Sequence, residues 1–335
     1  MVKSQIHRLL FEGIFPEKTT NPSLIETHIS WVVLCDRFVY KIKKPVRYSF
    51  LDFSTIEKRK FYCEREVFLN KRMTIDIYLD VLPVTEDDQR IVIGNTNGTL
   101  IDYCVKMVRI DASKQLDKLL VDKAVKDEDI IHLAEKIAGL HRHADIIYNT
   151  DVSRIKHDFN DIMEEKDAIN RYLGEQYSDI ISDAVKKSNH FIAEEEGNLR
   201  LRQQNGFFRD VHGDLHCKNI FMLSEPQPFD CLEFNDDYRR IDVLNETAFL
   251  CMDLESFGRK DLADLFINHY NKLFPSMNTE SDSRIFTYYK SYRANVRAKV
   301  NCLRAVSSVS VDDKKSFMQQ SSRYLLMLRN YMDTL

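Results

Sequence analysis

His212-Gly213-Asp214-Leu215-His216-Cys217-Lys218-Asn219 is a polar stretch set between Phe207-Phe208-Arg209-Asp210-Val211 and the apolar Ile220-Phe221-Met222-Leu223. An aspartate five positions ahead of an asparagine offers one carboxylate to orient and deprotonate an attacking hydroxyl, and one amide oxygen to hold Mg2+. The spacing predicts a phosphoryl-transfer loop between two strands, with Asp214 as base and Asn219 as metal ligand. Short motifs recur by chance, so the sequel carries weight. Pro228-Phe229-Asp230-Cys231-Leu232-Glu233-Phe234 puts Glu233 in an apolar run fourteen positions beyond Asn219, where a kinase keeps its other metal-binding carboxylate. Strand, polar loop, strand and acid then form a hairpin-like device, expected to turn Asp214, Asn219 and Glu233 into one cleft. A different chemistry would use His212, Asp214 and His216 as zinc ligands, but it leaves Asn219 and Glu233 without a task.

Upstream, Ser30-Trp31-Val32-Val33-Leu34 and Phe38-Val39-Tyr40-Lys41-Ile42 are β-prone runs three residues apart, the spacing of a hairpin. Side chains alternate on a strand, so Val39, Lys41 and Lys43 share one face. Lys41, flanked by apolar residues, is the candidate to grip nucleotide phosphates, while Lys43 and Lys44 read as a solvated strand end. From Ser54 to Met73 the pattern is that of a capped helix. Glu66, set in Arg65-Glu66-Val67-Phe68-Leu69, is the carboxylate expected to hold the strand lysine, with Glu64 as the alternative. Ile91-Val92-Ile93 and Ile101 to Val108 flank the turn Gly94-Asn95-Thr96-Asn97-Gly98 and are expected to complete a small antiparallel sheet. After Met107 the pattern becomes helical, so Met107, Val108 and Arg109 are expected to form a hinge offering backbone groups to an adenine ring. The chain thus reads as a nucleotide-binding lobe, 1–109, and a helical lobe, 110–335.

In the second part, Ile130, Leu133, Ala134, Ile137 and Ala138 recur with helical period, and His141 reads as a core or capping histidine. Asp242 and Glu246 stand one turn apart and could brace the loop, through its backbone or through Arg239 and Arg240, or simply favour a helix dipole. Arg293 and Arg297 share a helix face and could bind an acidic substrate group or pair with acids such as Asp242.

At 335 residues the chain exceeds the roughly 250 to 300 at which single cores stop growing, so two lobes are expected. With 44% hydrophobic and 30% charged residues and a formal charge of −4, it offers no electrostatic case for nucleic acid. Seven scattered cysteines without a Cys-x-x-Cys pair point to reduced thiols. No apolar run suits a signal peptide or a membrane span, so a cytoplasmic location is expected, and the oligomeric state is not legible.

These residues together resemble the aminoglycoside phosphotransferase-like family of the protein-kinase-like fold, in an uncharacterised bacterial branch. The resemblance covers nearly the whole chain, on His28-Ile29-Ser30-Trp31-Val32, Val39 to Val46, Leu51-Asp52-Phe53-Ser54, the His212 to Asn219 loop, Glu233-Phe234-Asn235-Asp236 and Arg293 to Val300. It implies an α+β bilobal fold, with a small antiparallel N-lobe sheet carrying one helix and a larger, mainly helical C-lobe. By the same resemblance ATP and Mg2+ are cofactors, Asp214 is the base, Asn219 and Glu233 hold metal, Lys41 contacts phosphates, Glu66 pairs with Lys41, and His212 props the loop. Two departures stand out. Most of the family has Asp where this chain has Glu233, and the longer arm must serve an ion that wants oxygens at about 2.0–2.1 Å. A glycine-rich loop is also missing, so Glu26-Thr27-His28-Ile29-Ser30 would cover the phosphates instead, Ser30 included. The expected function is ATP-dependent transfer of a γ-phosphoryl group to a hydroxyl of a small molecule. The alternative is a catalytically silent nucleotide-binding scaffold. The family does not fix the acceptor.

Overall fold

Residues 1–48, 51–87 and 90–335 are described by a computed structural model. They divide into two units, Met1–Lys118 with Lys218–Tyr238, and Leu119–Cys217 with Arg239–Leu335. The division falls inside the motif, after Cys217, and differs from the single break at 109 expected from sequence: a hairpin from the later chain belongs to the first unit.

In the first unit, α1 (Lys3–Glu12) precedes β1 (Ser23–Glu26), β2 (Ser30–Leu34), β3 (Phe38–Lys43) and the short pair β4 (Arg47–Tyr48) and β5 (Leu51–Asp52). Then come α2 (Ile56–Asn70), β6 (Tyr78–Asp87), β7 (Arg90–Ile93) and β8 (Thr99–Val108). Among the described residues the antiparallel sheet runs β1-β2-β3-β8-β6-β7. The expected β2–β3 hairpin is present, with Trp31 opposite Ile42 and Val33 opposite Tyr40. The Gly94–Gly98 turn does not make a hairpin, because β6, which has no clear sequence signature, lies between β7 and β8. Its Pro83, and Asp and Glu residues at Asp80, Glu86 and Asp87, depress strand propensity, and pairing on both sides overrides that local preference.

Alternation on β3 decides the two faces of the sheet. Tyr40 and Ile42 pack with Trp31, Val33, Ile91 and the α1 residues Ile6 and Leu9; α1 was not foreseen. Val39 packs with Val105, Met107 and the α2 residues Cys63 and Val67. Thr55 caps α2 by accepting from the Lys58 amide at 3.3 Å, the bond that Ser/Thr supplies at a helix start. From later in the chain, β10 (Ile220–Met222) and β11 (Pro226–Pro228) pair antiparallel, Ile220 opposite Pro228.

The second unit is mainly helical: α4 (Asp127–His143), α5 (Arg154–Asn160), α6 (Lys166–Leu173), α7 (Glu175–Gln204), α8 (Val243–Ser256), α9 (Lys260–Leu273), α10 (Glu280–Ser307) and α11 (Val311–Met332). The short α3 (Leu116–Val121) straddles the division. Nearly every residue of α8 is buried, as expected of a helix packed on all sides, and α9 and α10 lie against it. A two-stranded ladder, β9 (Phe208–Asp210) with β12 (Arg240–Asp242), sits just ahead of the motif. Arg239 clamps it, donating to both Asp210 oxygens at 2.7 and 3.0 Å. Among the described residues no helix is long and apolar enough to cross a membrane.

Candidate active site

On the α2 face of the sheet, β3 projects Lys41 and Lys43 side by side, since residues i and i+2 of a strand point the same way. Glu66, on the buried side of α2, splits its carboxylate between them: Oε1 lies 2.8 Å from Lys41 Nζ and Oε2 2.7 Å from Lys43 Nζ. Lys41 also reaches Asp230 Oδ1 at 2.6 Å, and Lys43 bonds Glu233 Oε1. Lys43 is therefore no solvated strand end; it is fully buried. Lys44, the other half of that reading, pairs with Glu26 at 2.7 Å and is largely covered. The alternation that placed Lys43 with Lys41 was the signal, outweighed by the general preference of lysine for water. Glu64 is exposed and takes no part in the cluster.

Burial opposes the charge on Lys41, Lys43 and Glu66, but their mutual attraction prevails. Asp230 and Glu66 raise Lys41, Glu233 and Glu66 raise Lys43, and the two lysines hold the Glu66 carboxyl well below its ordinary value. Glu233 goes the other way: burial pushes it up, Lys43 recovers only part of that, and Glu66 adds to the rise. The two acids differ in access too. Glu233 is 4% exposed, whereas the Asp230 side chain is 42% exposed.

Asp230 is the residue that sequence reasoning passed over. The run from Pro228 to Phe234 looked like one strand, but pairing stops at Pro228, and at Asp230 the backbone takes φ 62°, a left-handed conformation uncommon outside glycine. Two side chains hold this bend: Tyr78 Oη accepts from the Asp230 amide at 3.1 Å and Asn70 Oδ1 from the Cys231 amide at 2.9 Å. The hairpin sets Asn219 directly opposite, its carbonyl accepting from the Phe229 amide at 2.9 Å. Asn219 and Asp230 thus flank the open end of one hairpin, and Glu233 lies further along.

The other expected nucleotide contacts are placed as follows. Ser30 is fully buried, with its Oγ unpartnered and its amide bonded to Thr27 Oγ1 at 2.9 Å. Its hydroxyl is thus not open to cover a phosphate, because the Thr27–Ser30 turn folds it inward. Met107 pairs with both Val39 and Tyr78 in the sheet. The amides of Val108 and Arg109 donate to the carbonyls of Ile77 and Arg37. These hinge donors are spent within the fold.

In the second unit the motif is suspended from α8. Glu246 accepts from the His212 amide at 3.0 Å and the Gly213 amide at 2.8 Å, while His141 Nε2 lies 3.1 Å away, its other ring nitrogen against Tyr270 Oη at 2.7 Å. Burial raises Glu246, and His141 and the loop outweigh it. Asp253, two turns on and not singled out from sequence, accepts from the Cys217 amide at 2.9 Å and from Tyr324 Oη at 3.1 Å. Asp242 does not touch the loop: it caps α8 through the Leu244 amide and takes both Arg202 nitrogens at 2.6 and 2.9 Å. Arg293 donates to the Gly213 carbonyl at 3.2 Å and to Asn245 Oδ1 at 2.7 Å.

The strung loop presents Asp214. Its side chain is 41% exposed, with His216 Nε2 3.5 Å from Oδ2, and its amide donates to His212 Nδ1 at 3.2 Å. Partial burial pushes the carboxyl up, but His216, Arg297 and His212 prevail and hold it below the usual range. His212 is 3% exposed, so its ring is buried under the loop and accepts from the Asp214 amide. Among the described residues the one convergent group of metal-type side chains is His157, Asp158 and Asp161, so His212, Asp214 and His216 do not form a zinc set.

No family model matches the chain. It is 32% identical over 289 residues, 83% of its length, to an uncharacterised protein of Mycobacterium tuberculosis and to its Mycobacterium bovis counterpart. The chain spans about half the length of the curated relatives it matches, 54%. Among solved structures, choline kinase from Cryptosporidium parvum superimposes with a TM-score of 0.57 at 13% identity, over 94% of this chain and 90% of that one. A choline/ethanolamine kinase family protein of Mesorhizobium loti gives 0.55 at 13% identity over 98% and 100%. Ethanolamine kinase from Plasmodium vivax gives 0.55 at 9% over 92% and 82%. The chain has the protein-kinase-like fold. Its α+β make-up, sheet unit and helical unit, agrees with the resemblance read from the motifs. Within that fold Lys41 and Glu66 form the ion pair between strand and helix, and the His212–Asn219 stretch is the loop ahead of the hairpin.

Proposed function

We propose that this protein transfers the γ-phosphoryl group of ATP to a hydroxyl of a small molecule. The observation that carries the reading is Lys41, its ammonium held between buried Glu66 and the open carboxylate of Asp230. This is a pre-set cation for phosphate oxygens on a kinase-like sheet. Asp214 would take the proton of the acceptor hydroxyl as its oxygen bonds to the γ-phosphorus. The bond from that phosphorus to the bridging oxygen breaks, and ADP leaves. The depressed Asp214 carboxyl is ionised at neutral pH and so is ready to accept that proton, a contribution of about 10²- to 10⁴-fold.

Asn219 and Asp230 offer the amide and carboxylate oxygens that suit Mg2+, adjacent on one hairpin. Bound there, the ion would neutralise phosphate charge. The metal role expected of Glu233 passes in this proposal mainly to Asp230, because Glu233 is buried against Lys43 while Asp230, though paired with Lys41, keeps an open side chain. With Asp230 as the metal carboxylate, the Glu233 departure no longer argues for a silent scaffold, and the missing glycine-rich loop remains its other motive. Use of ATP fits a cytoplasmic location.

Asp214→Asn should abolish transfer across an acceptor panel while ATP affinity, read by calorimetry with Mg2+, changes less than about twofold. Retained turnover in that variant would remove Asp214 as base.

A further inference from the structure

The loop-facing side of α10 carries more positive charge than the loop needs. Arg293, Arg297 and Arg304 fall within about 40° of one another around the helix at 100° per residue. Arg293 is spent on the Gly213 carbonyl and Asn245, which fixes that face toward the motif. Arg297, one turn on, is 7% exposed, yet its Nε has no partner. Asn301, a further turn along, is 1% exposed, and its amide NH2 is spent on the Arg297 carbonyl at 2.8 Å, which leaves the arginines as the donors of this face. Arg304 is half-buried, its guanidinium 5.9 Å from the Phe317 ring. Among the described residues neither Arg297 nor Arg304 forms an ion pair with a carboxylate.

The two carboxylates nearby are already served. Asp253 is bonded to the Cys217 amide and Tyr324 and shares its charge with Arg297, which also lies over the Tyr324 ring at 5.5 Å, and Asp214 has His216. Yet both arginines lie within electrostatic reach of Asp214, since each is coupled to its charge. A buried donor left unmade, such as Arg297 Nε, is costly, and a buried guanidinium favours an anion at its free edge. Arg297 and Arg304, about 10 Å apart along the helix, thus form a cationic face within electrostatic reach of the base.

We infer that this face binds an anionic group, carboxylate or phosphate, of the acceptor, and so selects anionic over cationic alcohols. The inference rests on the kinase reading for the word acceptor, but the anion site stands on its own. It sets this protein apart from kinases named for choline and ethanolamine, whose acceptors are cations: like charge at Arg297 and Arg304 would repel an ammonium group.

Calorimetry without nucleotide tests the site with inorganic phosphate, D-glycerate, glycerol 3-phosphate, choline and ethanolamine. At least one anionic probe should bind and the two cations should not, and whether glycerate or glycerol 3-phosphate binds tighter distinguishes carboxylate from phosphate. Arg297→Gln should weaken that binding about 10- to 100-fold, the worth of one charge-assisted bond. Arg304→Gln, at a half-buried position less exposed to folding failure, should weaken it severalfold. Mg-ATP affinity should persist in both variants. Anion binding that is lost in these variants, in a protein that transfers no phosphoryl group, would uphold the site and sink the kinase reading. Failure of every anionic probe to bind, binding of choline or ethanolamine instead, or unchanged anion affinity in both variants would overturn the inference.

Discussion

Replacing Lys43 by Met isolates the buried charge on the sheet side of the site. Lys43 and Glu66 are fully buried and Glu233 nearly so. In Lys43→Met, Glu66 keeps Lys41 at 2.8 Å, but Glu233 loses its bonded partner in surroundings that already push its carboxyl up. It should then stay protonated in the folded state at neutral pH. The unfolded chain releases that proton at about pH 4.3, so holding it costs about 4 kcal/mol at pH 7 and about 1 kcal/mol at pH 5. The sign is that of a raised carboxyl: the folded state binds more protons than the unfolded one, and stability falls as pH rises, by about 1.4 kcal/mol per unit. Relief of the lysine's own desolvation offsets part of the loss at both pH values and leaves the slope intact. Glu66 contributes oppositely, its depressed carboxyl stabilising above about pH 4.3 and losing that only below, outside the window. Trp31 is the one tryptophan of the chain, is 5% exposed and lies on β2 of the same unit. Its emission during urea unfolding therefore reports this unit. Lys43→Met should be destabilised by about 2–4 kcal/mol at pH 7 and little at pH 5, and adding Glu233→Gln should restore stability and flatten the difference. Equal losses at both pH values, or no rescue, would refute the assignment of the cost to Glu233.

Glu246→Ala leaves the buried amides of His212 and Gly213 without an acceptor. A loss of about 2–6 kcal/mol is expected at roughly 1–3 kcal/mol for each, with faster hydrogen exchange at those two amides and lower turnover; unchanged exchange would show that the loop is held otherwise. Asp230→Asn should raise the Mg2+ concentration needed for half-maximal turnover more than Glu233→Gln does. The reverse order in a Mg2+ titration would return the metal to Glu233.

The local pattern was enough for much of this chain because it reports what each residue does to its immediate neighbours. Alternation at Val39, Lys41 and Lys43 told which side chains share a face, the Ser54–Glu57 start announced α2, and the Asp214–Asn219 spacing marked the loop. What it could not weigh was burial imposed from a distance. Lysine ordinarily seeks water, and only the arrival of Glu66 from α2 and Glu233 from beyond the hairpin makes a dry site for Lys43 affordable. β6 is a strand because β7 and β8 pair with it on both sides, against the preference of its own residues. Asp230 was visible as a letter. That it turns toward Lys41 depends on a backbone bend pinned by Tyr78 and Asn70, more than 150 residues away in the chain. Residue spacing determines which groups travel together along a strand or helix; which of them share a proton, a charge or a metal depends on the dielectric and the partners that folding brings, and those exist only in three dimensions.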